Sequence, residues 1–306
     1  NGSVLHIDLE KKSWGKSVIP EHILRKYIGG TGLAAWLLYV YCPTGIDPYD
    51  PRNPLIFCAS PLVGTQLTTS SKFAIATKSP LTGFIGDSMS SSFLATELKA
   101  TGFDAVLIKG VAESWTSLNV TEGGVQFLDA NPSIGLTTSE TELYMKNKLS
   151  ADHRIACIGP AGENLVRFAT ISNDGGRQAG RTGTGAVMGS KNLKAIAFRG
   201  RKSVKAYNKD ALQKLRKSLS RKSLGQATEK YRTLGTMANT SVFNRLGTLP
   251  SFNFRKGSVG NIEEFAAESI HKETKVEKAH CANCTIGCEK LAEIPGGGGK
   301  RTRVEY

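Results

Sequence analysis

An α+β protein is predicted: a mixed first domain over residues 1–203, then the start of a mainly helical one over 204–306. Three observations predict it. Short Val-, Ile- and Leu-rich runs recur between residues 3 and 199, interleaved with stretches of helical spacing. From about residue 204 that alternation fades, and helical spacing takes over in 211–224 and 262–270. A chain of 306 residues, 40% hydrophobic and 22% charged, has room for two ordinary globular domains.

The elements follow in order. Residues 3–19 read as a β-hairpin, with Leu5, Ile7 and Leu9 alternating before a Lys11-Lys12-Ser13 turn. Pro20 and Glu21 open a helix over 22–27, which Gly29-Gly-Thr-Gly32 interrupts before an apolar helix over 33–41. Strands are predicted at 55–59, 73–77, 105–109 and 117–120, and helices at 93–100 and 139–148. Further strands are expected at 155–158, 167–171 and 195–199. Residues 233–260, with scattered Gly, Asn and Ser, read as loops with a short helix, and Gly296–Gly299 as a mobile loop.

The composition narrows the function classes. No apolar run approaches the roughly 20 residues of a membrane span, and the first residues lack the layout of a signal peptide. Six cysteines, three of them clustered, suggest metal binding in a reducing cytoplasm. The net charge of +14 raises nucleic acid as a partner, but Lys and Arg are spread along the chain with no aromatic-interleaved basic motif. The densest basic stretch, Lys214-Leu-Arg-Lys-Ser-Leu-Ser-Arg-Lys222, reads as a solvated helix face. A phosphate-bearing cofactor or an acidic electron-carrier protein would also suit a basic surface.

Three stretches carry chemistry. The first is Cys281-Ala-Asn-Cys284-Thr-Ile-Gly-Cys288. Thiolates at this spacing can grip three corners of a [4Fe–4S] cluster. With His280 they could instead hold zinc, although adjacent His280 and Cys281 crowd one tetrahedral ion, and three inert thiols are the third reading. The fourth cluster ligand would come from elsewhere, because Cys42, Cys58 and Cys157 read as buried small apolar residues. The chain thus reads as the N-terminal part of a larger redox enzyme.

The second stretch, residues 173–192, sets Gly175, Gly176, Gly180, Gly183, Gly185 and Gly189 among Arg177, Arg181 and Lys191. Glycines admit backbone amides close to an anion and arginines bind phosphate in a bidentate fashion. The order Gly189-Ser190-Lys191 is not that of a Walker loop, and a structural turn is an equal alternative. The third stretch, 61–93, is dense in hydroxyls beside Lys72 and Lys78, and reads most simply as Ser-rich surface loops. The five histidines are scattered, and no catalytic triad suggests itself.

Together these segments resemble the tungsten-dependent aldehyde:ferredoxin oxidoreductase family. The resemblance lies in Gly29-Gly-Thr-Gly-Leu-Ala-Ala35, Thr77-Lys-Ser-Pro-Leu-Thr-Gly-Phe84, Glu97-Leu-Lys-Ala-Thr-Gly-Phe-Asp104, Ile158-Gly-Pro-Ala-Gly-Glu-Asn164, the run from Ala179 to Ile196, and the cysteines. It implies a saddle of two β-sheets carrying a bis-molybdopterin cofactor with tungsten, or molybdenum, under largely helical domains. It also implies a [4Fe–4S] cluster beside one pterin that passes electrons to ferredoxin, and an aldehyde as substrate.

Carried over by position, Cys281, Cys284 and Cys288 would be cluster ligands, the fourth cysteine and a metal-proximal acid belonging to sequence after Tyr306. Ala179 and Met89 would offer main-chain carbonyls to a Mg2+ bridging the pterin phosphates, and Arg181 and Gly183 would lie in the phosphate loop. Where members often have Gly-Gly-Arg before an aromatic, this chain has Ser70-Ser-Lys72-Phe73; Lys72 neutralises an anion without the planar fork. Where many have Asn-Ser-Gly-Gly, it has Met89-Ser90-Ser91-Ser92, and the extra Cβ atoms of Ser91 and Ser92 restrict close backbone approach to the pterin. A tungsten subunit that reduces aromatic acyl-CoA thioesters, a non-catalytic cofactor-binding or electron-transfer module, and a zinc-stabilised domain are the alternatives. A homodimer is left open.

Overall fold

The computed structural model describes residues 2–304. The chain divides into two compact units, one drawn from the chain up to Gln66 and from Ser70–Tyr207, the other from Leu67–Thr69 and from Asn208 onward.

The first unit is α+β. In chain order it contains β1 (Ser3–Asp8), β2 (Ser13–Val18), α1 (Glu21–Tyr27), α2 (Gly30–Tyr41), β3 (Leu55–Ala59), β4 (Lys72–Lys78) and β5 (Ile85–Ser91). These are followed by α3 (Phe93–Ala100), β6 (Ala105–Lys109), β7 (Thr116–Thr121), β8 (Gly124–Asp129), α4 (Thr138–Lys148), β9 (Arg154–Cys157) and α5 (Pro160–Glu163). Last come β10 (Ile171–Asn173), β11 (Arg177–Ala179), α6 (Thr184–Ser190) and β12 (Leu193–Phe198). The strands form two six-stranded sheets, ordered β2-β1-β6-β3-β4-β5 and β11-β10-β9-β12-β7-β8. Only β1–β6 and β7–β12 run parallel.

The period of two explains the layering. Leu55, Phe57 and Ala59 of β3 and Leu193, Ile196 and Phe198 of β12 join one core between the sheets, with Leu94 and Leu98 of α3. The alternate residues of the same strands turn the other way. Ile56 and Cys58 meet Leu33, Ala34 and Leu37 of α2, while Ala195 and Ala197 meet Met145 of α4. Both faces of the central strands are therefore buried, which is why they read as continuous apolar runs. Phe57 lies 6.2 Å, ring to ring, from both Phe73 and Phe198; each such side chain contributes about 1.5–3 kcal/mol of burial free energy.

One charged pair is sunk into this frame. The Lys194 ammonium, fully buried on β12, donates to Glu163 Oε1 at 2.5 Å and to the Leu136 carbonyl at 3.0 Å. Glu163 also accepts from the Gly135 amide at 3.0 Å.

The second unit holds α7 (Lys209–Lys222), α8 (Glu229–Leu234), α9 (Thr240–Arg245) and α10 (Ala267–Glu273), with one-turn 3-10 helices between them. Asn208 caps α7, its Oδ1 accepting from the Ala211 amide at 2.8 Å. It also holds an antiparallel sheet of β13 (Val276–Ala279), β14 (Glu289–Glu293) and β15 (Arg301–Val304).

Several sequence expectations shift. Helix α2 begins at Gly30, so Gly30-Thr-Gly32 forms its first turn rather than a break before it. The strand expected at 167–171 starts only at Ile171, because residues 162–170 are used to pack α6. The helix expected over 262–270 is two pieces, Ile262–Phe265 and α10, parted at Ala266, whose ψ of 145° is extended. Residues 85–91 are a strand and not a surface loop. The small sheet of the second unit is an addition, since its Glu- and Lys-rich strands lack an apolar alternation. Among the described residues no helix is long and apolar enough to cross a membrane.

Candidate functional site

The serine-rich and glycine-rich stretches meet. Along β5, Gly86, Ser88 and Ser90 are buried and Ile85, Asp87 and Met89 are exposed. The buried serines anchor the glycine-rich segment rather than face a ligand. Ser88 Oγ accepts from the Arg181 amide at 3.0 Å, and the Asn173 amide group donates to Ser90 Oγ and to the Arg177 carbonyl, both at 3.1 Å. The Arg177 guanidinium donates to the Ser91 carbonyl at 2.7 Å, and the Ser79 hydroxyl to the Thr182 carbonyl at 2.7 Å.

The turn between β10 and β11 is fixed from its other side. Asp174, held at φ 44°, accepts from the Leu94 amide at the start of α3 at 2.9 Å, with the Arg154 guanidinium 3.7 Å away. The Gly175 amide donates to Glu142 Oε2 at 2.7 Å. Glu142 carried no signal of its own in the sequence, and Ser88, Ser90, Asn173 and Asp174 entered only as members of the Ser-rich and Gly-rich runs. The one available signal was the every-second-residue spacing of Gly86, Ser88 and Ser90.

Two glycines have steric reasons to be where they are. A Cβ on Gly183, whose φ is 76°, would lie 2.0 Å from the Arg167 carbonyl oxygen; one on Gly189 would lie 2.0 Å from that of Gly162. Both let α6, buried from Thr184 to Gly189, press against the 162–170 segment. Gly180 differs: it is exposed, and a Cβ there would meet nothing nearer than the Gln178 Cβ at 3.6 Å.

Of the sequence-derived residues of the first unit, Lys72, Met89 and Arg181 are exposed along this edge and Ser91 is half-buried, while Gly183 is buried and Ala179 lies in the core between the sheets. Lys72 pairs in register with Ser91, and Met89 with Ala74. Ser91 is tied to Arg177, two residues before Ala179, and Arg181 is tied to Ser88. Gly183 lies just beyond, at the start of α6. Lys72 and Arg181 are exposed, and among the described residues neither meets a carboxylate. Ser92 Oγ and Thr184 Oγ1 are buried without a partner. Leu81, Phe84, Ile85 and Met89 are exposed on the segment from the end of β4 through β5, and Phe168 on the 162–170 segment. Two uncommitted cations and an open glycine suit an anion such as a phosphate.

In the second unit the cysteines lie on the loop between β13 and β14. Its first turn is closed by the Cys284 amide donating to the Cys281 carbonyl at 3.0 Å, with Asn283 at φ 58°. The three side chains are half-buried. The Thr285 amide donates to Thr68 Oγ1 at 3.1 Å, and the Thr285 hydroxyl is bonded to those of Thr68 and Ser223. Lys290, two residues past Cys288, is buried and donates to the Arg232 carbonyl at 2.7 Å.

His280 turns Nδ1 to the Cys281 carbonyl at 3.0 Å. Among the described residues no three His, Cys, Asp or Glu side chains converge on one metal-sized point. The donor set, three thiols on one short loop next to a buried lysine, fits a soft polynuclear group of negative charge. Burial pushes the Cys58 and Cys157 thiols up to about 12, so both behave as apolar core residues. Cys42, by contrast, is half-buried, with Lys78, Lys109 and Lys191 in its electrostatic surroundings.

Residues 4–200 match the family model described as aldehyde ferredoxin oxidoreductase, N-terminal domain, and residues 210–306 that described as aldehyde ferredoxin oxidoreductase, domains 2 & 3. A tungsten-containing aldehyde ferredoxin oxidoreductase of Pyrococcus horikoshii is 36% identical over 303 residues, covering 96% of this chain and 49% of that protein. Its namesake from Pyrococcus furiosus is 38% identical over 281 residues, covering 90% and 46%. The WOR-like subunit of an aliphatic sulfonate oxidoreductase of Pyrococcus furiosus is 30% identical over 313 residues, covering 96% and 49%. Among solved structures, an active-site complex of benzoyl coenzyme A reductase with 1,5-dienoyl-CoA matches with a TM-score of 0.85 at 27% identity, over 99% of this chain and 48% of that one. The chain spans about half the length of the curated relatives it matches.

Proposed function

Because the chain belongs to the aldehyde ferredoxin oxidoreductase family, we propose that it is the cofactor-holding portion of an enzyme that oxidises aldehydes to carboxylic acids and delivers the electrons to ferredoxin. The observation that carries this reading is the junction of the Arg181 segment with the β4–β5 edge, a ready anion cradle, in a chain with tungsten-containing relatives.

Lys72 and Arg181 neutralise the phosphates of a bis-molybdopterin, and Gly180 lets backbone amides approach them. The carbonyls of Met89 and of the buried Ala179 would be the oxygen ligands for a Mg2+, a hard cation suited to such donors. Ser91, through its carbonyl on Arg177, and Gly183, through the fit of α6, hold the cradle in shape. Cys281, Cys284 and Cys288 supply thiolates to a [4Fe–4S] cluster. When bound, the tungsten or molybdenum centre supplies two-electron redox chemistry, and the protein places and tunes it. The reaction balances as aldehyde plus water plus two oxidised ferredoxins giving carboxylate, three protons and two reduced ferredoxins. A reducing cytoplasm suits thiolate ligation.

A second reading, reduction of an aromatic acyl-CoA by a tungsten subunit, is favoured by the benzoyl coenzyme A reductase likeness and by a net charge of +14 that would suit CoA phosphates. Metal analysis and turnover of the anaerobically purified natural-length protein separate the cases. Tungsten or molybdenum, with about four iron atoms per chain for a [4Fe–4S] cluster and aldehyde-dependent ferredoxin reduction, is the expected result. Turnover only with aryl-CoA thioesters would favour the second reading. About one zinc per chain and no iron would instead leave a zinc-stabilised module.

A further inference from the structure

The strongest uncommitted charge on the second unit is α7. This 14-residue helix buries none of its side chains. Lys214, Lys217 and Arg221 recur at i, i+3 and i+7, share one face and are all exposed. Lys209, Arg216 and Lys222 add to the charge, against Asp210 as the helix's single acid. Among the described residues none of these cations has an ion-pair partner. On the opposite face Leu212 and Leu219 are half-buried.

The helix also ends on the cysteine loop. Ser223, its C-terminal cap, is hydrogen-bonded through its hydroxyl to Thr285, the residue after Cys284. The C-terminal end of the helix thus meets the segment whose thiols we read as cluster ligands, through the face opposite the three cations.

We propose that α7 is the docking face for an acidic ferredoxin that takes electrons one at a time from a cluster held at Cys281, Cys284 and Cys288. The proposal rests on the redox reading above and adds the surface by which the carrier is recognised. Charge complementarity is the reason for this occupant: weak electron-transfer encounters bury little area, and steering by opposite charge sets their rate. An anionic membrane is the other surface a basic helix could meet. Yet α7 carries no aromatic residue, and two of its three leucines are half-buried against the protein rather than free to insert.

The test uses the natural-length protein with K214E/K217E/R221E and its neutral counterpart K214Q/K217Q/R221Q. Aldehyde-dependent reduction is followed with an acidic [4Fe–4S] ferredoxin and, separately, with methyl viologen, a small cation that needs no docking face. Charge reversal should lower kcat/KM for ferredoxin by roughly 10-fold or more at about 0.05 M salt, mainly through KM, with the neutral variant between. The viologen rate should stay at the unmodified value. At about 0.5 M salt the three proteins should converge, because exposed charges are then screened.

Titration calorimetry of oxidised ferredoxin reads docking without turnover, so it decides the matter even if no aldehyde is oxidised. Absence of viologen reduction would undo the aldehyde reading alone. Unchanged ferredoxin affinity in the charge-reversed protein would overturn the docking face. So would binding to phosphatidylglycerol vesicles that charge reversal abolishes while ferredoxin binding persists.

Discussion

Replacing Gly183 by alanine tests whether the glycines of the loop serve the fold or the ligand. The new methyl carbon would stand 2.0 Å from the Arg167 carbonyl oxygen, far inside the 3.4 Å of ordinary contact, and 3.0 Å from the Pro80 Cγ. Neither obstacle is the tip of a flexible side chain. The residue must also keep φ at 76°, where an L side chain alone costs about 1–2 kcal/mol. Adding displacement of the 162–170 backbone from α6, the total should reach about 3 kcal/mol or more, in line with overpacking of a close-fitted core.

Gly180→Ala is the control. Its Cβ would enter open space, so stability should move by no more than about 0.5 kcal/mol, as at ordinary surface positions. Urea unfolding followed by circular dichroism measures both. Tungsten content of the natural-length protein then reports the ligand: Gly180→Ala should lower it with the fold intact. A Gly183→Ala midpoint equal to that of the unmodified protein would refute the steric account of α6.

Other expectations concern buried charge and the cysteine loop. Glu163→Gln leaves the fully buried Lys194 ammonium without its carboxylate and should cost about 3–5 kcal/mol in denaturant unfolding. The double variant Glu163→Leu with Lys194→Met should recover much of that loss, since removing both charges removes the desolvation penalty. Asp104 is held below the ordinary carboxylate range: burial alone would raise it, but the buried Lys99 ammonium and the Ser3 amide outweigh that. A depressed folded value means its stabilisation is present above about pH 4, the unfolded value, and fades as pH falls below it. Asp104→Asn should flatten that acid limb in denaturation at pH 3–5. Cys284→Ser in the natural-length protein should lower bound iron and the visible absorption of the cluster, without moving the urea midpoint of the two six-stranded sheets.

What the sequence conveyed followed from apolar periodicity. The strands at 55–59 and 105–109 and the helix at 93–100 are found with the bounds their patterns predict, because their buried faces are written in Leu, Ile, Val and Phe. β5 was illegible for the opposite reason. Its buried face is Gly86, Ser88 and Ser90, and what it packs on is a polar loop 83 to 93 residues away in sequence. The cysteines and the Gly-Arg segment were legible as chemistry, since their spacing is local. Their setting was not, because Ser223 and Thr68 reach Thr285 only in the folded chain.

The hold of the Arg177 and Arg181 segment on β5 has a consequence for solubility. β5 is the outermost strand of its sheet, with Ile85 and Met89 exposed, the profile of a strand that recruits a neighbouring chain. Its Ser91 carbonyl is taken by Arg177, and the Arg181 amide lies across it at Ser88. The loop that presents cations to solvent is thereby also a guard on that edge. Shortening or unclasping it would leave β5 free to pair with a second copy, and loss of a binding loop would be read at the bench as aggregation.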